Sequence, residues 1–453
     1  MVARAALMIK NGEVEPNRIA KTVLVIDEAQ DMSSEEFALV HALMTTNEDM
    51  RVIAVGDDDQ NIYEFRGSNS RFMTQLLKES GARLIEMTEN YRSSRHVIDF
   101  ANAFVNRIAG RMKTDSIISM KSDDGFVSIH HHISHTMYQP LIDDVVANRG
   151  KGSISVLTQT NEEAAIIVAL LRKHGLNSKL IQSMDGFRFW NIAEVRMFIK
   201  QIDFGTHTPI IPDNVWESAK QKTFSMYADS ASLQYLQRCI SLFEQTNKAK
   251  YYTDFKEFVF ESSVEDFCNL SRADVVVSTI HKAKGREFDD VYMLVTKPHH
   301  IPDEMLRRYY VGATRAKERL FIHTDASIFD RMPADEHYMC QQQYGLPDEI
   351  VLQLSHKDVN LGFFKPRKNE ILALRAGQKL RFDDNYLYDY RTDMVVAQLS
   401  QKMQGELTQW SEKGYYVNSA IIRFIVAWRP KDTPQEEYAV LLVDLTLRST
   451  AIH

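Results

Sequence analysis

Asp27 and Glu28 stand side by side at the end of a short apolar run, Val23-Leu-Val-Ile26. Such a run, with β-branched members, reads as a strand buried on both faces. In an open α/β sheet, ligands bind beyond the carboxyl ends of the strands. Two carboxylates delivered there suit phosphoryl chemistry: one holds Mg²⁺, and its neighbour orients or deprotonates an attacking water. A solvated acidic turn would have the same short pattern, so other residues must decide between the two.

A second passage repeats the arrangement. Arg51-Val-Ile-Ala-Val-Gly-Asp-Asp-Asp-Gln60 runs from a buried strand through a glycine turn to polar groups, and the amide of Gln60 falls where a terminal phosphate or a water would sit. Asn61-Ile-Tyr-Glu-Phe-Arg-Gly-Ser68 follows, bringing Tyr63, Phe65 and Arg66 close together. Aromatic faces interleaved with arginine stack on unpaired bases at roughly 1–3 kcal/mol per base; the alternative is that both rings fill the core of a loop. A third strand, expected over Arg83 to Met87, leads into Thr88-Glu-Asn-Tyr-Arg-Ser-Ser94. Arg92, just past that strand, is placed to meet a phosphate as a bidentate donor. A surface ion pair there would contribute only about 0–1 kcal/mol.

The elements that must hold these groups are legible from their punctuation. After Asp31, a helix is expected with Ser33 or Ser34 as its cap, Glu35 and Glu36 at its positive end, and Phe37, Val40 and Leu43 on its buried face. Phe126 to Ile133 alternates as a strand, and Ser153 to Leu157 is another. Asn161 is expected to cap a helix over Glu162 to His174 that Gly175 ends, and Ser178 to Ile181 is the next strand. Strand, helix and strand in this order predict a parallel sheet with right-handed crossovers. Strands over Val275 to Ser278, Val291 to Val295 and Arg319 to His323 extend it.

Composition bounds the class. At 453 residues, with 44% hydrophobic and 25% charged residues, the chain is an ordinary globular protein of about two to four domains. Cys239, Cys268 and Cys340 form no metal-ligand spacing and no disulfide framework, which points to a reducing, cytoplasmic setting. No signal-peptide pattern or 18-residue apolar run occurs. A net charge of −7 excludes a uniformly basic nucleic-acid coat but leaves room for a local basic groove, for which Lys282, Lys284 and Arg286 are the best cluster.

Asp27-Glu-Ala-Gln-Asp31, Val55-Gly-Asp-Asp-Asp-Gln-Asn-Ile-Tyr-Glu-Phe-Arg-Gly67 and Glu89-Asn-Tyr-Arg-Ser-Ser94, in this order, resemble the second, third and fourth motifs of superfamily 1 DNA helicases of the UvrD/Rep/PcrA type. Val275-Val-Val-Ser-Thr-Ile-His-Lys-Ala-Lys-Gly-Arg-Glu-Phe288 resembles the fifth, and Arg307-Arg-Tyr-Tyr-Val-Gly-Ala-Thr-Arg-Ala-Lys317 the sixth. The resemblance spans residues 23 to 322, about two thirds of the chain. It implies an α/β fold of RecA-like, P-loop NTPase-like motor domains, with ATP and Mg²⁺ as cofactors and single-stranded DNA or a duplex junction as partner. It also implies ATP-dependent unwinding with 3′-to-5′ movement.

By the same resemblance, Asp27 holds Mg²⁺ and Glu28 activates water. Gln60 senses the γ-phosphate, on which Arg92 and Arg315 close in a cleft between two motor domains. Glu287, beside Gly285, holds the nucleotide's ribose. Tyr63, Phe65 and Arg66 stack and clamp single-stranded DNA, with Phe65 where the family usually has tryptophan, and Thr279 and His281 contact the DNA backbone. One part is missing: the phosphate-cradling G-x-x-x-x-G-K-[ST] loop does not occur in the chain, and Gly150-Lys-Gly-Ser153 has the wrong spacing. The chain therefore reads as a C-terminal portion that needs an N-terminal companion segment or subunit to carry that loop. The rival is a non-catalytic protein that binds nucleic acid or a partner.

The expected organisation is a partial first motor domain over 1–100 and a second over 101–205 and 271–330. A reduced helical insert fills 206–270, a linker 331–355, and a small β-rich domain 356–453, with a barrel as one form and one helix near Met394 to Lys413. That last domain lacks the acid-x-lysine of a nuclease at Asp444-Leu-Thr-Leu-Arg448 and reads as a binding module. His130, His131, His132 and His135 suggest a metal site. Consecutive strand residues face opposite ways, however, so three of them cannot meet at one ion and coincidence is preferred.

Overall fold

The computed structural model describes residues 2–47, 49–63, 69–79, 81–134, 136–150, 152–181, 187–203, 210–267, 273–297, 301–430 and 436–450. Phe65, Arg66, His135 and Cys268 lie outside them. The chain divides into two compact units, one of residues 1–159 with 279–344 and the other of 160–278 with 345–453.

The first unit opens with a parallel pair, β1 (Val23–Ile26) and β2 (Arg51–Ala54), in register from Val23 opposite Arg51 to Ile26 opposite Ala54. Between them runs the expected helix, Ser34–Thr46. Ser33 is its cap: the hydroxyl accepts from Glu36 N, and the Glu36 carboxylate accepts from Ser33 N, a reciprocal pairing that satisfies two otherwise open amides. Phe37 and Val40 of this helix join Ala29, Met32, Phe72 and Leu76 in a core against which Leu24 and Ile26 pack.

The expectation that β1 is buried on both faces fails. Val25 is 62% exposed, and Val23, Ile53 and Val55 are exposed with it. Among the described residues, helices cover one face of the pair only, so alternate side chains of each strand meet solvent. The strand expected over Arg83 to Met87 does not form either; that segment is extended without a ladder, and Met87 is 78% exposed. With no neighbour to take its backbone groups, β propensity alone does not make a strand.

The rest of this unit is a parallel sheet in the order Glu336–Cys340, Phe126–His132, Ala316–Thr324, Phe288–Val295 and Ile154–Thr158. Its central strands are buried along nearly their whole length, as fits a sheet covered on both faces. Helix Arg95–Val105 packs Phe100 and Phe104 onto Phe329, with ring centroids 6.5 and 5.7 Å away.

In the second unit, helix Asn161–Lys173 is capped by Thr160 and not by Asn161, through a box with Glu163. Gly175, at φ +75°, ends it. Strand Ser178–Leu180 then pairs in parallel with Val275–Thr279. Helices Asp213–Met226, Leu233–Thr246 and Tyr252–Glu261 fall within the expected helical insert, and Ala193–Ile202, outside its expected bounds, packs with them. Their contact is aromatic: Trp216 lies 5.1 Å from Phe198 and from Phe255, and Phe243 lies 5.0 Å from Phe255. The C-terminal β-rich region is an antiparallel sheet in the order Glu349–Gln353, Tyr438–Ser449, Tyr415–Trp428, Lys379–Asp383, Tyr386–Asp389 and Val395–Gln398. It runs linearly from edge to edge, so the barrel form is corrected to an open sheet. Its helix is Gln401–Glu412. The stretch expected as a linker carries two strands, Glu336–Cys340 and Glu349–Gln353. No helix among the described residues is long and apolar enough to cross a membrane.

Where β2 turns back, Gly56 lies against the loop that follows β1. A Cβ on Gly56 would come 2.5 Å from Gln30 Oε1 and 3.1 Å from Ala29 N. Gly56→Ala is therefore expected to lower stability by about 1–3 kcal/mol, read as a lower thermal midpoint. An unchanged midpoint would mean that Gln30 swings clear at no cost.

Candidate active site

The chain leaves β1 through Asp27 and Glu28. Asp27 is exposed, and its Oδ1 accepts from Glu28 N at 2.9 Å. Glu28 takes a left-handed conformation, φ 49°, which a non-glycine residue adopts at some cost and which gathers at functional sites. Its carboxylate accepts from Gln30 Nε2 at 2.5 Å. Gln30 is buried and spends its other amide atom on the second strand-end loop, where Oε1 accepts from Asp57 N at 3.0 Å. One glutamine thus fixes the spacing between the two loops, and Gly56 leaves it room.

Gln60 lies at the end of a single helical turn, Asp58–Gln60. Its Nε2 donates to Asp57 Oδ2 at 2.9 Å, and its Oε1 accepts from Arg315 Nη2 at 3.0 Å. Arg315 also donates to the carbonyls of Val311 and Arg286 and to Thr314 Oγ1. It is 2% exposed. Burial, with Arg92 close by, pushes its guanidinium down to about 10, so it remains a cation at neutral pH. The charges of Glu287 and Glu28 act on it from the other side. Arg92 Nε meets Glu287 Oε1 at 2.5 Å, and Lys317 Nζ is 3.6 Å from Glu287 Oε2.

Residues 281–287 supply another cation. Lys284 Nζ lies 2.5 Å from Asp31 Oδ2 and 3.6 Å from Glu28 Oε2, and donates to Gln60 O at 3.0 Å. It also sits 5.1 Å from the Tyr63 ring centroid. Its side chain is nearly buried and taken up by these partners, so Lys284 differs from the open basic groove expected of Lys282, Lys284 and Arg286. Burial raises the Asp31 carboxyl above its usual value, against the pull of Lys284. Gly285, at φ +78°, makes the turn that returns the chain from Lys284 to Glu287. Tyr63 Oη donates to His281 O at 3.2 Å. Thr279 is buried at the start of helix Ile280–Ala283.

The structure therefore brings together Asp27, Glu28, Gln60, Arg92, Gly285, Glu287 and Arg315 within one unit, with Tyr63, Thr279 and His281 alongside. Phe65 and Arg66 fall outside the described residues. Sequence reasoning missed Gln30, whose one signal was its position inside the acidic motif. It also missed the clamp on the Asp57–Asp59 turn. Arg111 grips Asp59 at 2.9 and 3.1 Å through Nε and at 2.9 Å through Nη2, while Lys113 Nζ is 2.7 Å from Asp57 Oδ1. Nothing in the spacing joins residues 111 and 113 to that turn.

Comparison with known proteins identifies the family. Residues 85–206 and 203–327 match the UvrD-like helicase C-terminal domain, and residues 16–81 match the UvrD/REP helicase N-terminal domain. DNA helicase II of Haemophilus influenzae is 22% identical over 397 residues, covering 66% of this chain and 54% of that protein. ATP-dependent DNA helicase Rep of Buchnera aphidicola is 22% identical over 210 residues, covering 45% of this chain and 32% of that protein. UvrD1 of Mycobacterium tuberculosis is 26% identical over 184 residues, 38% of this chain and 24% of that protein. The chain thus spans at most about half the length of these relatives. With both family domains matched in order over residues 16–327, this chain belongs to the UvrD-like helicase family.

Proposed function

We propose that this chain is the C-terminal portion of an ATP-dependent DNA helicase that moves 3′ to 5′ along single-stranded DNA, and that it works with a segment carrying the phosphate loop. The observation that carries the reading is the contact of Arg315 with Gln60, beside Glu28 and Arg92. Two arginines and a carboxylate around a polar amide suit a phosphoryl group transferred to water. Residues 1–100 would form part of a first motor domain and 101–205 with 271–330 a second, with 206–270 as an insert, 331–355 as a connection and 356–453 as an added module.

Asp27 fits a hard cation: its exposed carboxylate has one oxygen engaged by Glu28 N, and the other takes no hydrogen bond among the described residues. Asp27 would hold Mg²⁺, which when bound neutralises charge on the phosphates of ATP. Glu28, oriented by Gln30, would accept the proton of the attacking water. Gln60 would report the γ-phosphate to the Tyr63 segment. Arg315 would stabilise charge developing on the transferred group, already positioned by its carbonyl contacts and so needing little reorganisation. Arg92 would exchange Glu287 for phosphate, and Glu287 would turn to the ribose. Tyr63, Phe65, Arg66, Thr279 and His281 would take the strand. A non-catalytic protein that binds nucleic acid or a partner is the second reading.

DNA-stimulated ATP hydrolysis tests the proposal, with the chain alone and with the chain joined to a phosphate-loop segment of the same family. Hydrolysis is expected in the joined form only. There, Glu28→Gln should lower kcat about 10²-fold or more, and Arg315→Lys about 10³-fold, with single-strand binding retained. Binding without hydrolysis in the joined form would establish the second reading instead.

The exposed apolar face of β1 and β2 is where the joined segment would pack. Val25→Lys with Ile53→Lys should reduce complementation by roughly tenfold or more, since each 1.4 kcal/mol lost in docking is a factor of ten. Complementation unaffected by both charges would place the segment elsewhere.

A further inference from the structure

Three histidines and one aspartate meet on one face of the parallel sheet in the first unit. Strands Phe126–His132 and Ala316–Thr324 lie side by side with His130 opposite His323. His130 and His132 are two residues apart and so share a face. Their ring centroids lie 4.4 and 5.3 Å from that of His323. His131 points the other way, to His337 and Asp330. The face argument made from sequence therefore holds for consecutive histidines, but it could not supply the two members that complete the group. His323 comes from a strand nearly two hundred residues away, and Asp144 from helix Tyr138–Ala147.

The distances are those of a ligand set. Asp144 Oδ2 is 2.9 Å from His323 Nε2 and 3.5 Å from His130 Nε2. One donor atom from each of the three residues lies within 4.8 Å of the others. Nitrogen and oxygen ligands ~2.0–2.1 Å from a tetrahedral ion sit about 3.3 Å from one another, so the observed spacings bracket that value. His132 Nε2 stands 3.1 Å from His323 Nδ1. A ligating histidine commonly engages its far nitrogen in this way, which fixes ring and tautomer. Ser128 Oγ, 2.9 Å from His130 Nε2, is the further polar contact on a donor nitrogen among the described residues.

Among the described residues no lysine or arginine pairs with Asp144, although the charge of Arg319 acts on the neighbouring Tyr292 hydroxyl. Asp144 is buried, and its ion-pair partners among the described residues are His130 and His323 alone. Asn148 Nδ2 also donates to it. A buried carboxylate without a permanent cation is costly. Two atoms near the group are buried without a hydrogen-bond partner: His132 Nδ1, and Oη of Tyr292, whose hydroxyl feels the charge of Asp144.

We propose that His130, His323 and Asp144 bind a divalent first-row transition metal of the Zn²⁺ type, with His132 as the positioning residue behind His323. Two imidazoles and one carboxylate are the donor set such ions take when a position is left for water. Binding needs no net proton loss from the His132–His323 pair. The proton on His323 Nε2 gives way to the metal, Nδ1–H then donates to His132 Nε2, and His132 carries its own proton on Nδ1. Bound in this way, the ion ties helix Tyr138–Ala147 to two strands of the sheet.

The test uses the whole chain without a histidine tag, stripped with a chelator and titrated with Zn²⁺ against a chromophoric competitor. One tight equivalent per chain is expected, with a rise in thermal midpoint. Co²⁺ in its place should give the visible d–d bands of a four- or five-coordinate site. His130→Ala and Asp144→Asn should each weaken Zn²⁺ binding by at least about tenfold, and His132→Ala about 10–100-fold while keeping the Co²⁺ bands. His131→Ala with His337→Ala, on the opposite face, should leave binding unchanged. If the stripped, folded wild-type chain takes up no stoichiometric Zn²⁺ and shows no Co²⁺ bands, the proposal is wrong. It is equally wrong if the opposite-face pair, and not His130 and Asp144, controls uptake.

Discussion

Lys284 is the constraint on which the site depends. Its ammonium is nearly buried, and a buried charge must be met by partners or leave. Asp31, Glu28 and the carbonyl of Gln60 meet it. These partners come from the loops after β1 and β2, while Lys284 directly follows helix Ile280–Ala283. One cation thus joins segments more than two hundred residues apart in the chain and sets where Glu287 and Arg315 stand relative to Glu28. Arg315 repeats the device: buried, still charged, and tied by Nη2 to Gln60 Oε1.

Two amides work beside the ion pairs of the site. Gln30 and Gln60 each spend both ends of the side chain, one end on a carboxylate and the other across to a neighbouring element. An amide at such a position can exchange one partner for another without leaving a bare charge behind. That property suits a group expected to sense the state of a ligand. The left-handed backbone at Glu28 belongs to the same arrangement: its carboxylate, still largely exposed, accepts from Gln30.

Two of the sheets of the first unit show opposite solutions to burial. In the five-strand parallel sheet, strands Ile154–Thr158 and Phe288–Val295 are buried along nearly their whole length, as fits cover on both faces. The β1–β2 pair has the same apolar character on one covered face and one open face. Its sequence is that of an interior strand, and its exposure is therefore a property of what surrounds it.

The sequence by itself determined what can be read over a few residues. Strand ends carrying Asp27, Glu28 and Gln60 and the Ser33–Glu36 helix start are local patterns, as is Gly175 at the end of its helix. Each is set by steric and hydrogen-bond rules acting between near neighbours. The ordered motifs also led to the α/β fold and to the family. Tertiary structure alone decided the rest. β1 is open on one side, residues 83–87 do not pair, and Lys284 is buried, because burial depends on which elements cover which. The joining of His323 and Asp144 to His130, and of Arg111 and Lys113 to the Asp57–Asp59 turn, follows from strand register and helix packing. Those long-range contacts carry no local signature, so no spacing rule could have announced them.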